Sequence, residues 1–150
     1  MIKNISGGGG GGGSFPSTDT RWMDEATVIS GANLWLQPNA SQLFYMRVSI
    51  SPPAINNEFS LSFFLDSGTY DFKVLGNIWS DEGIIEWKLN DVVIVASQDW
   101  SGANTYNVLK TESGVVIPTP GVQVLKGKVI GTNGTDYYFR LIKLWFEKTG

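Results

Sequence analysis

From residue 42 onward, apolar and polar residues alternate with the period of two that sends successive side chains to opposite faces of a strand. In 69–79, Tyr70, Phe72 and Val74 stand against Asp71 and Lys73. In 83–89, Ile85, Trp87 and Leu89 stand against Glu86 and Lys88. The pattern predicts strands over 42–50, 58–65, 69–79, 83–89, 92–97, 106–117, 122–130 and 137–147. Punctuation supports the divisions. Pro52-Pro53 cannot continue a central ladder, Asp66-Ser67-Gly68 and Thr132-Asn133-Gly134-Thr135 are turn signals, and Pro118-Thr119-Pro120-Gly121 breaks the chain. Asn90-Asp91 fits the two-residue loop of a hairpin joining 83–89 to 92–97. Gly114, in the middle of its strand, predicts a bulge or bend. No segment shows the helical period. Eight short, evenly spaced strands predict an all-β fold, an eight-stranded jelly-roll-like β-sandwich.

The first 31 residues follow a different pattern. A head, Met1 to Ser6, precedes seven consecutive glycines, Gly7 to Gly13. Each glycine loses more backbone freedom on ordering than any other residue, so the run is neither helix nor ordinary strand. As a tether it reaches about 25 Å. Alternatively, three parallel copies could pack glycines closely at one axis, as in the collagen triple helix. The expected division is an extended glycine-rich arm over 1–31 and a sandwich over 32–150. Ile2, Ile5, Phe15, Trp22 and Met23 are the apolar anchors expected on that polar arm, Trp22 and Met23 being equally able to pack back on the body or to insert into a neighbour, with Gly7, Gly10 and Gly13 marking its close-packing stretch.

Composition narrows the chemistry. The chain of 150 residues has no His and no Cys, which removes disulfides, imidazole and thiolate zinc sites, and Ser-His-Asp or Cys-His catalysis. Charged residues are 17%, below the roughly 25% of average domains, so the surface either has another source of solubility or is partly covered by partners. Residues 1–120 balance at −6 and residues 121–150 at +3, giving the net −3. With a pI near 4.8, nucleic acid is not the expected ligand. No apolar run approaches the ~20 residues of a membrane helix, and no export signal is expected at the N-terminus.

From about residue 66 to 146 the chain resembles a C-terminal β-sandwich domain of bacteriophage fibre and head-decoration virion proteins. The resemblance lies in Gly68-Thr69-Tyr70, in the hairpin phrase from Asp81 to Asn90, in Gln98-Asp99-Trp100-Ser101, in the strand from Val124 to Val129, and in the final strand. It implies a structural virion protein, a capsid decoration (cement) or head-fibre chain on the virion surface. Its arm would attach it to a major capsid protein or other virion protein and to sister subunits, most simply as a homotrimer held by avidity. It implies no catalytic residue and no cofactor.

Three other chemistries fit particular residues. Asp81 and Asp99, at strand ends, could contribute oxygens to a Ca²⁺ site, though both also fit ordinary turn chemistry. Two carboxylates, Glu86 with Asp99 or Asp81 with Asp99, could serve a glycosidase. Glu86 lies on an alternating strand beside Lys88, however, and reads as an exposed ladder residue, so no enzyme is expected. Finally Trp100, with Asn104 and Tyr106 and with Trp79 and Asn77 close in sequence, could form a sugar platform of stacked rings and amides. A glycan-binding receptor-recognition module at a phage fibre tip, for a host surface glycan, is therefore the alternative to the decoration or head-fibre reading.

Overall fold

Alternation becomes burial along each central strand. The computed structural model describes residues 18–31, 33–38 and 46–150. Its strands are β1 (Thr18–Trp22), β2 (Thr27–Ser30), β3 (Asn33–Pro38), β4 (Met46–Ser51), β5 (Glu58–Leu65), β6 (Gly68–Ile78), β7 (Ile84–Leu89), β8 (Val92–Asp99), β9 (Thr105–Ile117), β10 (Gly121–Gly131) and β11 (Arg140–Lys148). One sheet runs β3-β4-β11-β6-β9, with β1 also paired to β11, and the other runs β2-β5-β10-β7-β8. Every ladder is antiparallel. The fold is a jelly-roll-like β-sandwich, as the alternation predicts.

The core lies between the sheets. Tyr70, Phe72 and Val74 of β6 face Phe59, Phe63, Ile85 and Trp87 of the opposite sheet, all essentially inaccessible. Phe72 stacks on Phe146 at 5.0 Å and meets Trp87 edge-on at 5.3 Å. Gly127 of β10 is required by this packing, because a Cβ there would sit 2.5 Å from Phe59 and 2.8 Å from Trp87. The Asn90-Asp91 hairpin forms as expected, with both residues at positive φ, 48° and 66°, the signature of a type I′ turn. Gly114 lies at φ 79° beside a register shift in the β6–β9 ladder, which is the expected bulge.

Two expectations need correction. The eight anticipated strands correspond to β4–β11, and three more precede them. Residues 18–31, placed in the arm by their polarity, instead form β1, a 3-10 turn (Met23–Glu25) and β2 within the sandwich. The Glu25 carboxylate accepts the Trp22 N–H at 2.8 Å, closing the turn that drives Met23 inward. Met23 is fully buried in the core, so it is not a surface anchor. Arg21 and Asp19 then tie β1 to the second sheet. Arg21 Nε donates to the Ser62 carbonyl at 2.7 Å, and the Asp19 carboxylate accepts from Phe64 N–H at 2.8 Å. Ile2, Ile5, Gly7, Gly10, Gly13 and Phe15 lie outside the described residues.

Candidate functional site

At one end of the sandwich three loops are laced together by backbone hydrogen bonds. The loop after β6 is bound to the loop after β8: Trp79 N–H donates to the Trp100 carbonyl at 3.3 Å, and Gly102 N–H to the Trp79 carbonyl at 3.1 Å. It is bound as well to the loop before β11, where Tyr138 N–H donates to the Asp81 carbonyl at 3.1 Å and Gly83 N–H to the Tyr138 carbonyl at 2.6 Å. Thr135 N–H adds a bond to the Ser80 carbonyl at 2.8 Å. Loops held this way present side chains from a fixed frame.

Arg140, the first residue of β11, is the centre of that frame. Its guanidinium binds the Asp81 carboxylate in a two-pronged pair at 2.7 and 2.8 Å, and donates to Glu82 Oε1 at 2.7 Å. It also lies 4.2 Å from the Trp79 ring centroid and 5.0 Å from that of Tyr138. Only a planar, delocalised cation can be pinned in its plane by carboxylates while its faces meet aromatic rings. Glu82 is fully buried. Burial outweighs the nearby guanidinium and raises its carboxyl from the usual 4.5 to about 8. One guanidinium and the Asp81 carboxylate already balance, so a proton on Glu82 keeps the buried cluster near neutrality. Glu82 Oε2, Arg140 Nε and Asn77 Nδ2 are buried without a hydrogen-bond partner.

A bulge in β9 brings the outermost ring into place. Gly76 is opposite Val108 and Ile78 opposite Thr105, so β9 carries one extra residue there. Asn107 absorbs it at φ 56°, and its N–H, drawn out of the ladder, donates to Asn77 Oδ1 at 3.0 Å. Tyr106 therefore turns outward and is 42% exposed. Its ring stands edge-on to Trp79, with centroids 5.8 Å apart at 89°. Asn104, in the adjoining loop, is exposed as well. The result is a shallow surface of Trp79, Tyr106 and Tyr138 over a rigid charged base, bordered by amides.

The sequence placed Tyr106 and Asn104 correctly at a surface but misjudged Trp100. Trp100 is fully buried, and its indole N–H and that of Trp87 both donate to Gln98 Oε1 at 3.0 Å. It is a core residue, because the polar Gln98 beneath it supplies the acceptor an inward indole needs. Trp79 occupies the position expected of Trp100. Tyr138 and Arg140 were not singled out from the sequence; their only signal was a Tyr-Tyr-Phe-Arg run opening the last strand.

The carboxylate expectations fare differently. Asp81 is held by Arg140. Asp99 accepts from Ser101 N–H and Oγ at 2.8 and 2.6 Å and from Asn133 Nδ2 at 2.8 Å, bonds that hold its carboxyl low against the desolvation that opposes them. Glu86 pairs with Lys88 at 3.0 Å on the outward side of β7. Each acid is committed to a structural partner. A groove of about 370 Å³ between the edges of β8 and β9 is lined by Leu89, Val92, Ile94, Val116, Ile117 and Pro118. Its amides, Asn90 and Gln123, bond each other at 2.5 Å, so it offers little to a hydroxylated ligand.

No family model and no curated protein matches the chain. Solved structures do. A Paenibacillus xanthan lyase is 18% identical with a TM-score of 0.75; the match covers 95% of this chain but 14% of the lyase. The CBM36-1 domain of a multidomain xylanase from the hindgut metagenome of Trinervitermes trinervoides is 18% identical with a TM-score of 0.68, covering 89% of this chain and 98% of that one. A family 36 carbohydrate-binding module solved with calcium and xylotriose is 14% identical with a TM-score of 0.62, covering 86% of this chain and 99% of that one. The fold is shared with carbohydrate-binding modules. Calcium in that last structure raises the question of the Asp81 and Asp99 carboxylates as metal ligands here. Among the described residues no group of three or more acids could hold an ion, and the best-placed carboxylate, Asp81, is occupied by a guanidinium.

Proposed function

We propose that this chain is a carbohydrate-binding module whose ligand is a neutral glycan chain, held at the surface formed by Trp79, Tyr106 and Tyr138. The observation that carries the reading is Tyr106 projecting from a β9 bulge, edge-on to a Trp79 ring that is backed by the Arg140 guanidinium. Sugar rings present C–H faces that pack on aromatic rings, while their hydroxyls bond to amides such as that of Asn104. Cations near the surface are already engaged: Arg140 by Asp81 and Glu82, and Lys110 by the Asp99 carbonyl. An uncharged ligand therefore suits the site better than an acidic one. The fold likeness to carbohydrate-binding modules supports the class of ligand, and the function is binding without turnover.

The virion reading has less behind it. It rests on the pattern over 66–146 and on the arm, whose first 17 residues lie outside the described part.

Binding is tested by affinity electrophoresis and calorimetry against xylan, mannan, β-glucan and galactan. Tyr106→Ala should lower affinity for the preferred glycan about tenfold with an unchanged melting temperature, because aromatic stacking contributes about 0.5–1.5 kcal/mol beyond area burial and the ring's apolar area adds to it. Retention on none of these glycans, or wild-type affinity in Tyr106→Ala, would rule the site out.

A further inference from the structure

The outer face of the six-stranded sheet carries a second aromatic surface of different charge. Register places Trp22 opposite Lys143 and Thr20 opposite Trp145 across β1 and β11. Across β11 and β6, Lys143 stands opposite Leu75 and Trp145 opposite Lys73. Leu75 continues to Leu109 on β9, which is 49% exposed. Side chains alternate along β11: Leu144 and Phe146 are fully buried, while Lys143 and Trp145 keep part of their surface in solvent, as Trp22 does on β1.

Lys143 lies between the two indoles. Its Nζ is 5.5 Å from the Trp22 ring centroid and 5.0 Å from that of Trp145. Lys73, the other cation on this face, pairs with Glu147, and Asp71, on the same outward side of β6, stands opposite Glu147, four positions along β11 from Lys143. Lys143 is in no ion pair among the described residues. Among the described residues the face thus offers two diagonal aromatic rings and one ammonium that is in no ion pair.

We propose that this face is a second binding site, for an acidic polysaccharide. The sugar rings pack on Trp22 and Trp145, and the carboxylate of a hexuronate residue pairs with the Lys143 ammonium. Charge complementarity selects the ligand. A neutral chain would leave the ammonium uncompensated against the apolar Leu75 and the indoles, whereas a uronate completes the pair. The polymer class rests on the glycan-binding reading above, but the two sites use different residues and ligands of different charge. A sulfated glycan offers the same charge with a different group, and the test separates the two.

Calorimetry on the full chain with oligogalacturonate, oligoglucuronate, a sulfated galactan oligomer and the carboxyl-reduced oligogalacturonate decides the matter. The expected result is binding of a uronate oligomer that weakens steeply with added salt, falls at least tenfold in Lys143→Gln, and is absent for the carboxyl-reduced chain. Lys143→Gln keeps both indoles and alters only a partly exposed side chain, so the variant folds. A uronate affinity unchanged in Lys143→Gln, preference for the sulfated oligomer, or binding of none of these probes would overturn the proposal. Failure of Tyr106→Ala to affect neutral glycans would remove the strand-end site and leave this outcome standing.

Discussion

Glu82 gives the structure a pH dependence that one substitution should erase. Its carboxyl is fully buried, shares the Arg140 guanidinium with Asp81, and titrates near 8 in the folded chain against 4.5 ordinarily. Because the folded value is raised, the folded state holds a proton that the unfolded chain releases. The favourable contribution is therefore complete below about pH 4.5 and is lost as pH rises towards and through 8. The slope across that window is about 1 kcal/mol per pH unit, and by pH 7 the accumulated loss is about 3 kcal/mol. Glu82→Gln cannot titrate, yet its side-chain oxygen still accepts from Arg140. Urea unfolding followed by tryptophan fluorescence at pH 5, 6, 7 and 8 measures both chains. Wild-type stability minus variant stability should fall by about 1 kcal/mol for each pH unit. A constant penalty from the new amide N–H shifts that difference without changing its slope. Two parallel stability profiles would show that Glu82 is already ionised in the fold, with Arg140 balancing both carboxylates.

Two further substitutions test residues that the sequence assigned to outside surfaces. Trp100→Ala should cost about 3–5 kcal/mol, because it opens a core cavity and takes one of two indole donors from Gln98; chemical denaturation reads this directly, and a loss below 1 kcal/mol would place the ring outside the core. Met23→Ala should cost about 2–5 kcal/mol in the isolated chain, whereas a residue serving only to contact another subunit would leave the monomer's unfolding midpoint where it was.

The sandwich was legible because its central strands are amphipathic by strict alternation. Tyr70, Phe72, Val74, Ile85, Trp87 and Leu89 all point where a period of two sends them. The Asn90-Asp91 turn and the Gly114 bulge were legible for a local reason: each needs a backbone conformation that few residues adopt. The strands of 18–31 were not. β1 and β2 are short segments that pair with β11 and β5, and β1 is tied across to the second sheet by Arg21 with Ser62 and Asp19 with Phe64, more than 30 residues away. Local pattern carries no trace of such partners.

The same distinction explains the site. Exposure of Tyr106 follows from a bulge whose displaced N–H is taken up by Asn77, 30 positions earlier. Burial of Trp100 goes with Gln98, whose side-chain oxygen accepts its indole N–H. In both cases the aromatic residue was visible and its orientation was not, because orientation depends on where a nearby polar group finds its partner. Arg140 extends this to charge. Residues 121–150 read as a basic segment, yet that guanidinium is neutralised at the strand end while Lys143, three positions on, keeps its charge at the sheet face. Two aromatic surfaces thus meet at β11, one around Arg140, which turns in, and one around Lys143, which turns out. The two ligand classes can be tested separately: Tyr106 probes the neutral surface, and Lys143 the charged one.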